Sequence, residues 1–291
     1  MTLSQATLSQ ATLSQAVWLL SGFGDEIDPD PVVQATVLRA LGAGHIEVRG
    51  AWDVNIVALD DDRLQQLRAV FAQRGLRVSA IASPVGKVDI EGDAEDELNR
   101  LRRAVHAAHV LEAPYIRIFS FYRGDGVPVE SIRDAVLHRL RAFADLAERE
   151  DVVLVHENEK DIYGDVPARV LDIVDSVGSP ALRVAWDNAN FVQVGVRPYT
   201  DGYELLRPHL AYLQVKDAIA ATGAVVPAGE GDGELRETLT ALRDDGYTGF
   251  ASLEPHLADT HALGGFSGPA EFGRAARAFL ALTASIGVQT A

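Results

Sequence analysis

The segment DVVLVHENEK (151–160) decides the reading of the fold. Val152 to Val155 form a short β-branched run that ends on His156-Glu157, and the chain then turns polar and glycine-bearing before a helical pattern begins. The same order returns in LRVAWDN (182–188), LAYLQVKD (210–217) and FASLEPH (250–256). Upstream, apolar β-rich runs at 17–22, 46–49, 77–82 and 115–119 precede it, so eight strands are predicted in all, the last four at 152–157, 182–187, 210–215 and 250–254. Helical periodicity fills the intervals at 31–41, 62–74, 94–111, 129–150, 166–177, 203–207, 235–245 and 269–286. In the fourth, Ile132, Val136, Leu140, Phe143 and Leu146 recur at three- and four-residue steps and make one apolar stripe. Gly42, Gly75 and Gly246 stand just past helix ends, where a left-handed cap is needed.

Eight strands that each lead into a helix predict a single (β/α)₈ TIM barrel over residues 17–291. A doubly wound sheet would place a glycine-rich phosphate loop after its first strand; here Gly22-Phe23-Gly24 runs into Asp25-Glu26, two acids where phosphate needs open amides. Residues 2–16 read TLSQA three times, a period too short and too poor in large apolar residues to bury a face. They are expected to be a disordered extension outside the barrel.

Composition excludes several classes. The 291 residues contain no cysteine, which removes thiolate metal sites, disulfides and cysteine nucleophiles. A net charge of −16 opposes binding to nucleic acid, and the densest basic cluster, Arg100, Arg102 and Arg103, alternates with acids on a helix. No apolar run approaches membrane-spanning length and no secretory signal pattern opens the chain, so a soluble cytoplasmic protein with no membrane partner is expected.

Barrel chemistry sits at the C-terminal strand ends. There the sequence places Glu157, Asp187, Gln214 and Glu254, oxygen donors from four consecutive strands. A lone acid at a strand end is ordinarily a helix cap. Three carboxylates converging on one rim repel one another, and a divalent cation removes that penalty. Oxygen ligation favours Mg²⁺ or Mn²⁺.

With SGFGDEIDPD (21–30), HIEVRG (45–50), YIRIFSFYRG (115–124), HENEKDIYGD (156–165), WDNANFVQVG (186–195), LQVKDA (213–218), PAGEGDG (227–233) and SLEPH (252–256), the chain resembles the sugar phosphate isomerase/epimerase family of the xylose isomerase-like TIM barrel superfamily. That group includes ketose 3-epimerases, inosose dehydratases and endonuclease IV. The resemblance implies metal ligands Glu157, Asp187 and Glu254, with Glu157 and Glu254 also transferring protons. The third ligand falls on Gln214, where the family motif reads His-x-Lys-Asp. An amide oxygen suits Zn²⁺ less well than imidazole, so one Mn²⁺ or Mg²⁺ ion, more weakly held, is expected. The implied activity is a metal-dependent isomerisation or epimerisation of a sugar or sugar phosphate through an enediolate. An inosose-type dehydratase and a non-catalytic sugar- or metal-binding barrel are the alternatives, and the histidine-rich cluster of endonuclease IV is missing.

Lys216 and His256 lie two residues beyond Gln214 and Glu254, so strand alternation points them the same way, towards a carbohydrate substrate. Arg49 and Arg117 end strands two and four; they are expected to hold a carboxylate or phosphate, or to pair with acids such as Asp25, Glu26 or Glu47. His156 should face away from Glu157 as a hydrogen-bonded packing residue. The glycines of 227–233 suit either a mobile lid or a plain turn. The sequence leaves room for a homo-oligomer.

Overall fold

The computed structural model describes residues 16–261 and 263–291; all of the TLSQA repeat except Ala16 lies outside them. Eight parallel strands form the wall: β1 (Ala16–Gly22), β2 (His45–Val48), β3 (Arg77–Ala82), β4 (Tyr115–Ile118), β5 (Val153–Glu157), β6 (Leu182–Asp187), β7 (Leu210–Val215) and β8 (Phe250–Leu253). Each pairs with the next in sequence from β2 to β8, and β8 pairs with β1. The ring closes between β1 and β2 through one parallel bridge, Phe23 to Glu47. Below that bridge a ninth strand, β9 (Val288–Thr290), fills the seam. Leu20 N donates to Ala291 O and Ala291 N to Trp18 O, each at 2.9 Å, so β1 leaves few backbone groups unpaired where β2 has diverged. This strand was not expected from the sequence, because three residues after Gly287 carry no alternation to read.

The helices on the outside are α1 (Pro31–Ala40), α2 (Asp61–Gln73), α3 (Ala94–Leu111), α4 (Arg133–Arg149), α5 (Pro167–Val177), α6 (Asn188–Gln193), α7 (Glu204–Leu206), α8 (Leu235–Asp244) and α9 (Gly268–Ser285). Their apolar stripes bury against the sheet in one continuous shell. A second, smaller cluster of Leu19, Ala80, Tyr115, Val155, Ala185, Tyr212 and Phe250 plugs the barrel interior. Gly42, Gly75 and Gly246 all have positive φ, as the helix ends require.

The expected sixth helix at 203–207 is present but begins earlier, and a further helix precedes it. The connection after β6 begins at once with α6, capped by Asp187 Oδ1 accepting from Asn190 N at 2.9 Å. Gly195 (φ 80°) follows the end of α6, and a π-helical turn over Pro198–Tyr203 runs straight into the three-residue α7. Among the described residues, no helix is long and apolar enough to cross a membrane.

Candidate active site

Glu157 is the last residue of β5 and Asp187 of β6; Gln214 lies one residue before the end of β7, and Glu254 follows β8 directly. Register sets Asp187 beside Gln214 and Gln214 beside Ser252. Glu157, Asp187 and Glu254 each offer one carboxylate oxygen within 4.8 Å of the others, and all three are buried.

Cations alternate with these acids. Lys216 Nζ lies 3.0 Å from both Asp187 Oδ2 and Glu254 Oε2. Arg117 Nη1 lies 3.0 Å from Glu157 Oε2 and 3.6 Å from Glu254 Oε1. Arg49 gives Nε to Asp25 at 2.7 Å and Nη2 to Gly265 O at 2.7 Å, leaving Nη1 3.9 Å from Glu254. The ring of Phe23 lies under both guanidiniums. Arg49 therefore follows the pairing expectation, and Arg117 joins the two glutamates. His256 Nε2 stands 3.0 Å from Glu26 Oε1 and 3.4 Å from Glu254 Oε1. It arrives there through a left-handed turn (φ 46°), not by continued strand alternation.

The balance of charge differs from acid to acid. Burial pushes Glu157 up to about 8, with Arg117 opposing. Burial likewise raises Asp187 to about 6 against the pull of Lys216. It acts on Glu254 too, but Lys216, His256 and Arg117 together outweigh it and hold that carboxyl well below the usual range. His256 is the converse: burial disfavours its charge, yet Glu26 and Glu254 raise it to about 9.

The residues fit a hard cation. The donor set is all oxygen, and buried Asp187 Oδ2 is engaged, among the described residues, by the Lys216 ammonium at 3.0 Å, beside the carboxylates of Glu157 and Glu254. One end of the Gln214 amide lies 3.2 and 3.0 Å from the two oxygens of Glu157, and the other lies 3.4 Å from Glu47 Oε1. With no ion the NH₂ end belongs at Glu157, where it donates to both oxygens; with an ion shared between them, the amide oxygen belongs there.

All eight residues singled out in the sequence thus gather at one mouth, above a cavity of about 100 Å³ lined in part by Arg49, Lys87, Arg117, Lys216, Glu254 and His256. Sequence reasoning passed over Asn190, whose Nδ2 donates to Glu157 Oε1 at 2.9 Å while its backbone N donates to the capping Asp187 Oδ1. It also missed the role of Glu26, which accepts from His256 N and Ser267 Oγ. The WDNAN spacing could have shown the first, since an Asp cap fixes the third residue after it; nothing local signals the second.

Two expectations need correction. His156 faces away from the site and is fully buried, but neither ring nitrogen has a hydrogen-bond partner, so it packs without being satisfied. The 227–233 loop is held down, not free to act as a lid. Asp217 accepts from Gly229 N, Gly231 N and Gly233 N at 2.9–3.1 Å, and from Ala218 N at 2.9 Å. A Cβ at Gly231 or Gly233 would meet Asp217 Oδ1 at 2.4 or 2.6 Å, which explains the glycines. The mouth is overhung instead by the hairpin 258–266: Gly265 lies so close to the His256 ring that a Cβ would strike it at 1.7 Å.

Comparison with known proteins places this geometry in context. The family model described as Xylose isomerase-like TIM barrel matches residues 35–281. Over 223 residues the chain is 31% identical to 2-epi-5-epi-valiolone 7-phosphate 2-epimerase of Actinoplanes sp., covering 74% of this chain and 78% of that protein. It is 20% identical over 226 residues to 3-dehydroshikimate dehydratase of Bacillus anthracis, covering 72% and 79%. A xylose isomerase-like TIM barrel protein from Mycobacterium smegmatis, solved in complex with magnesium, superposes with a TM-score of 0.66 at 20% identity, over 94% of this chain and 98% of that one.

Proposed function

Because the chain belongs to the xylose isomerase-like TIM barrel family, we propose that it is a divalent-metal-dependent epimerase or isomerase of a sugar or sugar phosphate. The observation that carries this reading is the convergence of Glu157, Asp187 and Glu254 within 4.8 Å, interleaved with Lys216 and Arg117. Glu157, Asp187, Gln214 and Glu254 would hold one ion, Mg²⁺ or Mn²⁺ by the chemistry of an all-oxygen set. When bound, it supplies Lewis-acid polarisation of a carbonyl and its neighbouring hydroxyl.

The chain's own residues divide the proton work. Glu254, ringed by the cationic side chains of Lys216, Arg117, His256 and Arg49, is the carboxylate kept ionised and takes the carbon-bound proton. The C–H pair of electrons moves into a carbon–carbon double bond and the carbonyl oxygen gains the charge, beside Lys216 and Arg117. Glu157, paired with Arg117, returns a proton to the other face of the same carbon, and the carbonyl re-forms. Return to the adjacent carbon also requires the neighbouring hydroxyl to pass its proton to the former carbonyl oxygen as the new carbonyl forms. Arg49, Lys87 and His256 at the mouth, each paired with an acid (Asp25, Glu159 and Glu26), would offer N–H donors to a phosphate or carboxylate of the substrate. A dehydratase would share the first step and then expel hydroxide; the Bacillus anthracis relative is the observation in its favour.

The test is incubation of Mn²⁺- or Mg²⁺-loaded protein in D₂O with ketoses, ketose phosphates, inososes and cyclitol ketone phosphates. Deuterium at an α-carbon that disappears in Glu254→Gln supports enolisation. Loss of water from the labelled compound identifies the dehydratase. Absence of exchange in every compound, with metal demonstrably bound, sinks both and leaves a binding protein.

A further inference from the structure

Glu47 is a fully buried carboxylate that the proton-transfer scheme does not use. It comes from HIEVRG on β2, across the barrel from β7, where it faces the Gln214 amide, shares a hydrogen bond with Ser252 and lies in the field of Arg117 and Glu254. It is not free to swing. Tyr212 OH donates to Glu47 Oε2 at 2.9 Å, and the same hydroxyl is tied at 2.8 Å to Ser79 Oγ, which in turn reaches Ser21 Oγ at 2.7 Å.

A glutamine in a metal site poses a problem that histidine does not. Its two ends have nearly the same shape but opposite chemistry: the oxygen can ligate, and the NH₂ can only donate. Here both ends face carboxylates. Glu157 draws the NH₂ inward, at 3.0 and 3.2 Å, to the face where a ligand oxygen is required. Glu47 draws it outward, at 3.4 Å. With no ion the two short contacts to Glu157 prevail. An ion shared with Glu157 takes up that carboxylate's lone pairs and reverses the preference, but only if the NH₂ has somewhere to go. In a fully buried position an amide nitrogen with no acceptor would carry the full desolvation cost.

We propose that Glu47 is the positioning residue that makes Gln214 a metal ligand, by accepting the amide NH₂ when the oxygen turns to the ion. This rests on the metal reading above. It also says how a chain with glutamine in the histidine position can keep a four-donor site: the wall opposite the ligand selects which end of the amide faces in. In this role Glu47 acts on the ion through Gln214, apart from its electrostatic pairing with Arg117.

The experiment measures Mn²⁺ binding to the full chain without substrate, by calorimetry and by the EPR signal of free Mn²⁺, with thermal unfolding recorded for every variant. Glu47→Met, which removes the acceptor at similar volume, should weaken Mn²⁺ roughly ten-fold or more, the range seen when outer hydrogen-bond partners of metal ligands are lost. Glu47→Gln keeps an oxygen towards Gln214 and should stay within about three-fold of wild type on the same reasoning. In a Gln214→Glu background, where the ligand has no wrong end, Glu47→Met should cause no loss. Equal weakening in both backgrounds would overturn the proposal, as would wild-type affinity in Glu47→Met. If Glu47→Met does not fold, the Gln214 side-chain amide decides the matter in the wild-type chain: its ¹⁵N resonance, assigned by its disappearance in Gln214→Glu, should shift discretely on adding Mg²⁺. An unmoved resonance in a protein that binds the ion overturns the proposal. A wild-type chain that binds neither Mn²⁺ nor Mg²⁺ overturns the metal reading itself, a result distinct from binding that ignores Glu47.

Discussion

Asp187 and Asp217 are both fully buried aspartates at the ends of neighbouring strands, and their surroundings are opposite. Four backbone N–H groups converge on Asp217, so its charge is spent holding a loop together. Asp187 has one oxygen engaged as the cap of α6, while the other meets the Lys216 ammonium at 3.0 Å beside two more carboxylates. One carboxylate is finished by the backbone; the other is held by a side-chain cation within a cluster of acids, which on the proposed reading an ion would share. Burial and residue type are the same in both cases, so neither separates structure from chemistry. What separates them is whether fixed backbone donors or a side-chain ammonium take the lone pairs.

The sharpest way to break this contrast is to exchange the consequences. Glu254→Gln, in the unfinished cluster, should lower the rate of substrate C–H exchange by about 10²–10⁴-fold, the usual contribution of a positioned acid or base, with little change in unfolding midpoint. Asp217→Ala should do the reverse. It leaves four N–H groups without their acceptor and should cost on the order of 3 kcal/mol in urea unfolding, while a folded fraction still binds Mn²⁺ normally. If Asp217→Ala abolished Mn²⁺ binding without loss of stability, the loop would belong to the site and the contrast would fail.

Metal removal should expose the unfinished cluster alone. At a hundred-fold excess over its dissociation constant, Mn²⁺ should stabilise the wild-type chain by about 2.7 kcal/mol, and Asp187→Ala should lose that increment. The sign with pH follows from burial. Glu157, raised to about 8, and Asp187, raised to about 6, bind more protons folded than unfolded, so metal-free stability falls as pH rises through that window. The ion needs the same oxygens deprotonated, so its affinity grows over the same interval. Thermal melts with EDTA and with Mn²⁺ should therefore diverge from pH 6 to pH 8; parallel curves would mean that the ion is bound elsewhere.

How far the sequence could be read depends on where the partners lie. Glu157, Asp187, Gln214 and Glu254 were legible because strand ends recur with a fixed role in an alternating chain, and Lys216 followed from the period of β7. Gly231 and Gly233 were visible as glycines, but not their purpose: the atom that excludes a Cβ is on Asp217, and glycine looks alike in a lid and in a nest. Glu47 and Glu26 were foreseen as partners of the rim arginines, but not their contacts with Gln214 and His256, which come from the far end of the chain. β9 escaped for a related reason, since its pairing is with the first strand of the barrel. Local pattern therefore supplied the elements and the first donors, and long-range closure supplied whatever orients them.

His156 offers the smallest test, one residue from Glu157 on the other face of β5. Burial pushes its imidazole down to about 3, no charged partner compensates, and both nitrogens lack hydrogen bonds. Unfolded, the ring would titrate near the ordinary imidazole value of 6.5, so between about 3 and 6.5 the unfolded chain binds the extra proton. Its contribution to stability is complete above that window and is lost as pH falls through it, opposite in sign to the metal-free rim. His156→Leu removes the proton-linked part while keeping the apolar packing against the loop at Gly164. The difference in unfolding free energy between variant and wild type should shift in favour of the variant from pH 7 to pH 4.5, with no change in Mn²⁺ affinity at pH 7. A constant difference across that range would show that the imidazole finds a partner or water in solution. A change in metal affinity would show that the two faces of β5 are not independent, and that the line between finished and unfinished groups does not run along the strand.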